Sequence, residues 1–288
     1  MSADLEYLLI LTQAKFDLKG KVAVITGAAR GLGLAFAQAL ASAGCDIAVL
    51  DIVAEAPSTT QDLQSKYGIV ARYYRVDITS HQDVKTTISQ IVQDFGRIDI
   101  NINAAGVVTD ESFLTTSPEN LQKTFAVNVN GSYFVAQACA NAMVDHYRSE
   151  HGNTPATHAT TGSIVFIASI ATYMASSAQQ ISCYTASKAA IKGLVKPVAM
   201  ELARFGIRVN SLSPGYTMTD MMRGLQQEQP DLVRQFEKET LFGRIGLPEE
   251  LQGAVLWLCS DRASGWYTGQ DLLVDGGATS WKHPAVLQ

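Results

Sequence analysis

Short apolar, β-branched runs alternate along this chain with longer segments in which apolar positions recur at helical spacing. The runs Lys21–Ile25, Asp46–Leu50, Val70–Val76, Ile98–Ile102, Ser163–Ala168, Ile207–Leu212 and Asp271–Val274 predict seven strands. Helices are predicted over Leu34–Ala43, Gln82–Phe95, Pro118–Tyr147 and Ile181–Phe205. Strands separated by helix-length connections pair in parallel, with helices on both faces. The pattern therefore specifies an α/β chain: a single doubly wound domain around a mostly parallel seven-stranded sheet. Ligands of such sheets sit beyond the carboxyl ends of the strands, so candidate residues are those that directly follow a strand.

The first strand runs straight into Thr26-Gly27-Ala28-Ala29-Arg30-Gly31-Leu32-Gly33, and a helix follows. In that context glycines permit a tight turn and close backbone approach. The helix N-terminus offers unpaired N–H groups and partial positive charge to a pyrophosphate. Gly27, Gly31, Leu32 and Gly33 are thus candidate dinucleotide contacts. Asp51, at the tip of the second strand with Ile52 beside it, can accept hydrogen bonds from the adenosine ribose and would repel a 2′-phosphate, which favours NAD. Arg30 argues the other way, because a guanidinium in the loop can pair with a 2′-phosphate and keeps NADP open. Asp77-Ile78, Asn103-Ala104-Ala105-Gly106, Ser169 and Pro214-Gly215 follow the third to sixth strands.

Tyr184 and Lys188, four residues apart in an Ala-rich helical run, share one helix face. An ammonium about 4 Å from a phenol favours phenolate by roughly 4 kcal/mol at an effective dielectric near 20, enough to lower the phenol pKa by about 3. Such a tyrosine exchanges a proton with a substrate oxygen near neutral pH. An exposed helix with an incidental Tyr and Lys is the competing reading of this pair taken alone.

Composition narrows the picture. The chain has 288 residues, 47% hydrophobic, with a formal net charge of −5, so there is no basic footprint for nucleic acid. Cys45, Cys139, Cys183 and Cys259 show no CxxC spacing and read as reduced core thiols, which with the absence of a basic, apolar leader gives a cytoplasmic expectation. The apolar run Tyr7 to Leu11 is too short to span a bilayer, so no membrane association is expected. His146, His151 and His158 match no metal-ligand spacing, and no metal is expected. They fall in a stretch, His146 to Thr161, that reads as a polar surface loop. Residues 1–19 read as an N-terminal extension with Leu5, Leu8 and Leu9 on one face, 20–281 as the domain, and 282–288 as a tail. Within the domain, 216–242 carries Met218, Met221, Met222, Leu225 and Phe236 and reads as a mobile lid over a substrate pocket.

Taken together, the TGxxxGxG loop, Asp51, Asp77-Ile78, the Asn103 to Gly106 turn, Val127-Asn128-Val129, Ser169, Tyr184 with Lys188, Pro214-Gly215 with Thr219, and Val274-Asp275-Gly276-Gly277 resemble the short-chain dehydrogenase/reductase family over residues 17 to 281. Ala104 departs from the family's usual second Asn. The fifteen residues from Ser169 to Tyr184 exceed the common spacing and, with Trp281 past the double glycine, look most like the fungal polyol branch of arabinitol, mannitol and sorbose-type enzymes. The resemblance implies a Rossmann-type domain and hydride transfer between a secondary alcohol or ketone and NAD or NADP. It implies Tyr184 as acid/base, Ser169 holding the substrate oxygen, and Lys188 acting on both Tyr184 and the nicotinamide ribose. Asn128 would hold a water that links Lys188 to solvent, while Thr217 and Thr219 would approach the nicotinamide carboxamide or the diphosphate from the lid side. Local readings stand beside two of these roles: Asn128 as a helix amide satisfied by its neighbours, Ser169 as a strand-end cap. Ser182 and Ser187 flank the site without matching a catalytic position. A polyol or ketose is the implied substrate, a cyclic or secondary-metabolite ketone the alternative, and a non-catalytic dinucleotide-binding regulator the reading from another class. A homo-oligomer, tetramer or dimer, is implied as well.

Overall fold

The computed structural model describes residues 14–54, 58–156 and 160–281. Its strands are β1 (Val22–Thr26), β2 (Asp46–Asp51), β3 (Ala71–Arg75), β4 (Ile100–Asn103), β5 (Gly162–Ile167), β6 (Ile207–Pro214) and β7 (Asp271–Val274). They form one sheet in the order β3-β2-β1-β4-β5-β6-β7, and every neighbouring pair is parallel. The expectation of a mostly parallel sheet thus becomes an entirely parallel one. The longer helices are α1 (Gly31–Ser42), α2 (Thr59–Tyr67), α3 (His81–Phe95), α4 (Pro118–Phe125), α5 (Ser132–His151), α6 (Ser182–Leu202), α7 (Asp220–Glu228), α8 (Pro230–Lys238) and α9 (Gln252–Cys259).

Neighbouring residues of a strand face opposite sides, so β1 feeds two cores. Ile25 packs with Phe36 and Leu40 of α1 and with Val255 and Leu258 of α9 on one face. Val24 packs with Ile88 and Ile91 of α3, Val135 of α5 and Ile191 of α6 on the other. All five β1 residues are buried, which is why the strand is an unbroken apolar run instead of an alternating one. Each fully buried side chain of this size contributes roughly 1.5–3 kcal/mol relative to exposure. Because β1 lies between β2 and β4, the winding reverses there and opens a crevice at the carboxyl ends of the strands.

Three local expectations change. The predicted Pro118–Tyr147 helix is interrupted by a π-helical turn at Ala126–Gly131, then continues as α5 to His151. His146 to His151 is therefore helix and not loop. Tyr147 anchors that last turn: it is buried, donates to the Thr154 carbonyl at 2.6 Å and stacks on His151 at 4.6 Å. The sequence pattern also passes over α2, whose nine residues bury only Thr60 and Leu63 and so carry almost no amphipathic signal. β6 runs two residues past its predicted end because Ser213 and Pro214 pair with Leu273 and Val274. Most of the N-terminal extension, His158 and the 282–288 tail lie outside the described residues. The four cysteines are free and buried, and burial raises the thiol pKa of Cys45, Cys139 and Cys259. Among the described residues no helix is long and apolar enough to cross a membrane.

Candidate active site

A cavity of about 1690 Å³ runs along the carboxyl edge of the sheet, from Asp51 at one end to the 216–228 segment at the other. The glycine loop forms one end. Gly33 lies so close to the preceding turn that a Cβ there would sit 2.3 Å from the Gly27 carbonyl oxygen, so only glycine lets α1 start where it does. Arg30, the residue before α1, makes no side-chain cap, and the first N–H groups of the helix keep their donor capacity toward an anion. Asp51 is held at the tip of β2, accepting from the Ala29 amide at 3.1 Å and from the Ile52 amide at 2.8 Å. Arg30 is exposed and forms no ion pair with Asp51 among the described residues. Leu32, Asp77, Ile78, Ala104 and Gly106 line the same cavity. Asn103 does not. Its side chain is buried in the sheet, donates to Asn101 Oδ1 at 2.7 Å, and leaves its own Oδ1 without a partner. A free helix terminus, a glycine cradle and a carboxylate at the second strand tip fit a dinucleotide.

At the other end Ser169, Tyr184 and Lys188 line the cavity together. Ser169 continues β5 in extended conformation, and its hydroxyl accepts from the Ala171 amide at 3.1 Å, the local cap foreseen as its competing reading. Helix α6 carries Tyr184 and Lys188 one turn apart. Burial raises the Tyr184 pKa, and a hydrogen bond with the Ser169 hydroxyl draws it back down. The Lys188 ammonium donates to the Ile167 carbonyl at 2.7 Å and lies 5.7 Å from the centre of the Tyr184 ring. Burial lowers its pKa to about 8. The lysine expected beside the phenol is thus also tethered to β5, and burial is the largest influence on the pKa of both groups.

Asn128 sits in the π-helical turn, behind the cavity wall. Its Oδ1 accepts from the Val107 amide at 2.8 Å, and its Nδ2 donates to the Val107 carbonyl and to Ser187 Oγ, both at 2.9 Å. Gly106 separates it from Lys188: a Cβ there would lie 3.3 Å from Asn128 Oδ1 and 3.5 Å from Lys188 Nζ. Ser187, which flanks the site in the sequence without matching a catalytic position, is fully buried and donates to the Tyr184 carbonyl at 2.7 Å, joining α6 to Asn128. The available signal was a serine inside an apolar helix, which must bond back to its own turn or reach across. Pro214, Gly215, Thr217 and Thr219 line the lid side; Thr217 Oγ1 donates to the Gly215 carbonyl at 3.0 Å, and Thr219 caps α7 through the Met222 amide.

A family model described as enoyl-(acyl carrier protein) reductase matches residues 27–279. A crystal structure of a short-chain type dehydrogenase/reductase from Mycobacterium marinum is 37% identical, covers 92% of this chain and 97% of that one, and superposes with a TM-score of 0.82. The chain belongs to the short-chain dehydrogenase/reductase family. Membership makes it an oxidoreductase of alcohol and carbonyl groups that works with a nicotinamide dinucleotide. Among curated family members, sorbose reductase of Schizosaccharomyces pombe is 37% identical over 268 residues, 92% of this chain and 98% of its own. A gluconate 5-dehydrogenase from Burkholderia cenocepacia, solved with NADP and tartrate, is 33% identical, covers 94% of this chain and 100% of that one, and gives a TM-score of 0.84. In this short-chain dehydrogenase/reductase, therefore, one continuous cavity joins a glycine cradle to a serine, a half-buried phenol and a buried amine.

Proposed function

We propose that this enzyme interconverts a secondary alcohol and a ketone of the polyol–ketose class, with NAD as the preferred dinucleotide. The observation that carries this reading is the shared wall of Ser169, Tyr184 and Lys188 at the end of the cavity that begins in the glycine loop. The likeness to a sorbose reductase supports the substrate class.

In the oxidative direction Tyr184, as phenolate, takes the hydroxyl proton. Ser169 donates to or accepts from the substrate oxygen and holds it at the phenol. Lys188, its pKa lowered to about 8, helps carry away the proton that Tyr184 has taken, so that the phenolate is restored. Asn128 and Ser187 keep α6 and the 104–107 turn in register behind it. The bound nicotinamide supplies the hydride acceptor or donor. Gly27, Gly31, Leu32 and Gly33 hold its pyrophosphate, Asp51 and Ile52 its ribose, and Asp77 and Ile78 its adenine; Ala104, Gly106, Pro214, Gly215, Thr217 and Thr219 border the reactive end. The enzyme acts in the cytoplasm as a homo-oligomer, a reading supported by exposed Phe113, Leu114 and Trp266. Residues 216–242 serve as the lid.

A panel of polyols, ketoses and bulky cyclic ketones, followed by reduced-nicotinamide absorbance with both dinucleotides, tests the assignment. Preference for a polyol–ketose pair is expected; exclusive use of cyclic ketones overturns the substrate class.

A further inference from the structure

Beside the substrate end of the cavity lies a buried carboxylate that the reaction at Tyr184 does not use. Glu239, next after α8, is 2% exposed. Its Oε1 accepts from the Ser176 hydroxyl at 2.8 Å and from Gln235 Nε2 at 3.4 Å, and its Oε2 accepts from the Tyr216 hydroxyl at 2.6 Å. Ser176 and Tyr216 both line the cavity. Tyr216 stacks on Phe236 with 4.4 Å between ring centres, in a small core with Val233 and Ile245 to which Ala178 also packs. Trp281 Nε1 donates to the Glu239 carbonyl at 3.1 Å. The two hydroxyls are therefore oriented from behind the cavity wall, by groups a substrate does not displace.

A hydroxyl has one proton to donate. With both protons committed to Glu239, and one Ser176 lone pair taken by the Ala178 amide at 3.1 Å, the oxygens of Ser176 and Tyr216 offer the cavity their remaining lone pairs only. Burial and Glu239 both raise the Tyr216 pKa, so that proton is retained. A substrate hydroxyl, which donates, matches these acceptors. A carboxylate, which only accepts, does not. Charge acts in the same sense, because Asp110, Asp220 and Glu228 also line the cavity. Asp110 accepts from the Gln180 amide at 2.8 Å, which fixes it beside the Ser176–Gln180 segment. Among the described lining residues the cations are Arg30 in the glycine loop, Lys188 bonded to Ile167, and Lys123 exposed on α4.

We propose that this end of the cavity selects a neutral polyhydroxylated ketone or alcohol and rejects the corresponding aldonate, with Ser176, Glu239 and Tyr216 as the specificity element. The proposal rests on the polyol–ketose reading and decides between two substrate chemistries named among its relatives, sorbose and gluconate.

The test uses the full chain, a ketohexose, the 5-ketoaldonate of the same length, and cyclohexanone, each with reduced nicotinamide. The ketohexose is expected to exceed the ketoaldonate in kcat/KM by about a hundredfold. Glu239→Gln replaces an acceptor with a donor and turns one hydroxyl proton toward the cavity, so that ratio falls about tenfold. Ser176→Ala, at a half-buried loop position that holds the fold even if Glu239→Gln does not, lowers the ketohexose-to-cyclohexanone ratio by about the same factor. Equal use of ketoaldonate and ketohexose by the parent, or unchanged ratios in both variants, overturns the proposal. Absence of turnover for all three compounds with either dinucleotide overturns the dehydrogenase reading itself, and the proposal with it.

Discussion

Lys188 stands one helical turn from Tyr184, yet its ammonium is bound to the Ile167 carbonyl at 2.7 Å and lies 5.7 Å from the Tyr184 ring centre. Burial raises the pKa of the phenol, and the hydrogen bond with Ser169 lowers it. Proton transfer at Tyr184 depends on the phenolic oxygen itself. Tyr184→Phe should reduce kcat by about a thousandfold, the scale of general acid–base catalysis, with dinucleotide affinity nearly unchanged by fluorescence titration. Retention of a few per cent of activity with a normal substrate profile would remove the proton-transfer role.

The buried lysine makes a thermodynamic prediction. With a pKa lowered from 10.5 to about 8, Lys188 loses its proton in the folded protein while the unfolded chain still carries one. Stability therefore rises with pH between these values, and the whole cost is present below about pH 8. That cost is on the order of 3 kcal/mol, less about 1 kcal/mol for the bond to Ile167. Lys188→Met should be the more stable protein at pH 7 by about 2 kcal/mol in denaturant melts, with an advantage that shrinks toward pH 10, and should be inactive.

Asp51 is oriented by two amides at the mouth of the adenosine end, whereas Arg30 is exposed and unpaired with it. kcat/KM should favour NAD(H) over NADP(H) by at least about tenfold, or 1.4 kcal/mol. Asp51→Ser should reverse the order by removing the like charge. A tenfold preference for NADP(H) in the parent enzyme would mean that Arg30 outweighs Asp51, as NADP in the Burkholderia cenocepacia relative would then lead one to expect.

Ser187 joins the Tyr184 backbone to Asn128 from a fully buried position. Ser187→Ala leaves one Asn128 donor proton unpaired and should cost about 1–2 kcal/mol in chemical denaturation. Because α6 then loses its tie to the π-helical turn, kcat should fall more than KM changes. A loss of stability with kcat intact would assign Ser187 to the fold alone.

The layer order, the order of strands and the glycine loop were legible before folding because their signals are local. An unbroken apolar run such as Val22–Ile25 marks a strand covered on both faces, and a glycine loop between strand and helix marks an anion site. Helix α2 was not legible, since two buried residues make no period. Asn103 was expected to follow a strand, but it is the last residue of β4, and its side chain is buried and bonded to Asn101 on the same face.

By itself the sequence determined a parallel doubly wound sheet and the presence of a serine, a phenol and an amine at its carboxyl edge, because hydrophobic period and motif spacing act over a few residues. Only the tertiary structure decided where the Lys188 ammonium goes, since its partner at Ile167 lies 21 residues away on another element. It alone brought Glu239 to Ser176 across 63 residues. Hydrogen bonds between distant segments depend on how the elements pack, and no local pattern encodes that.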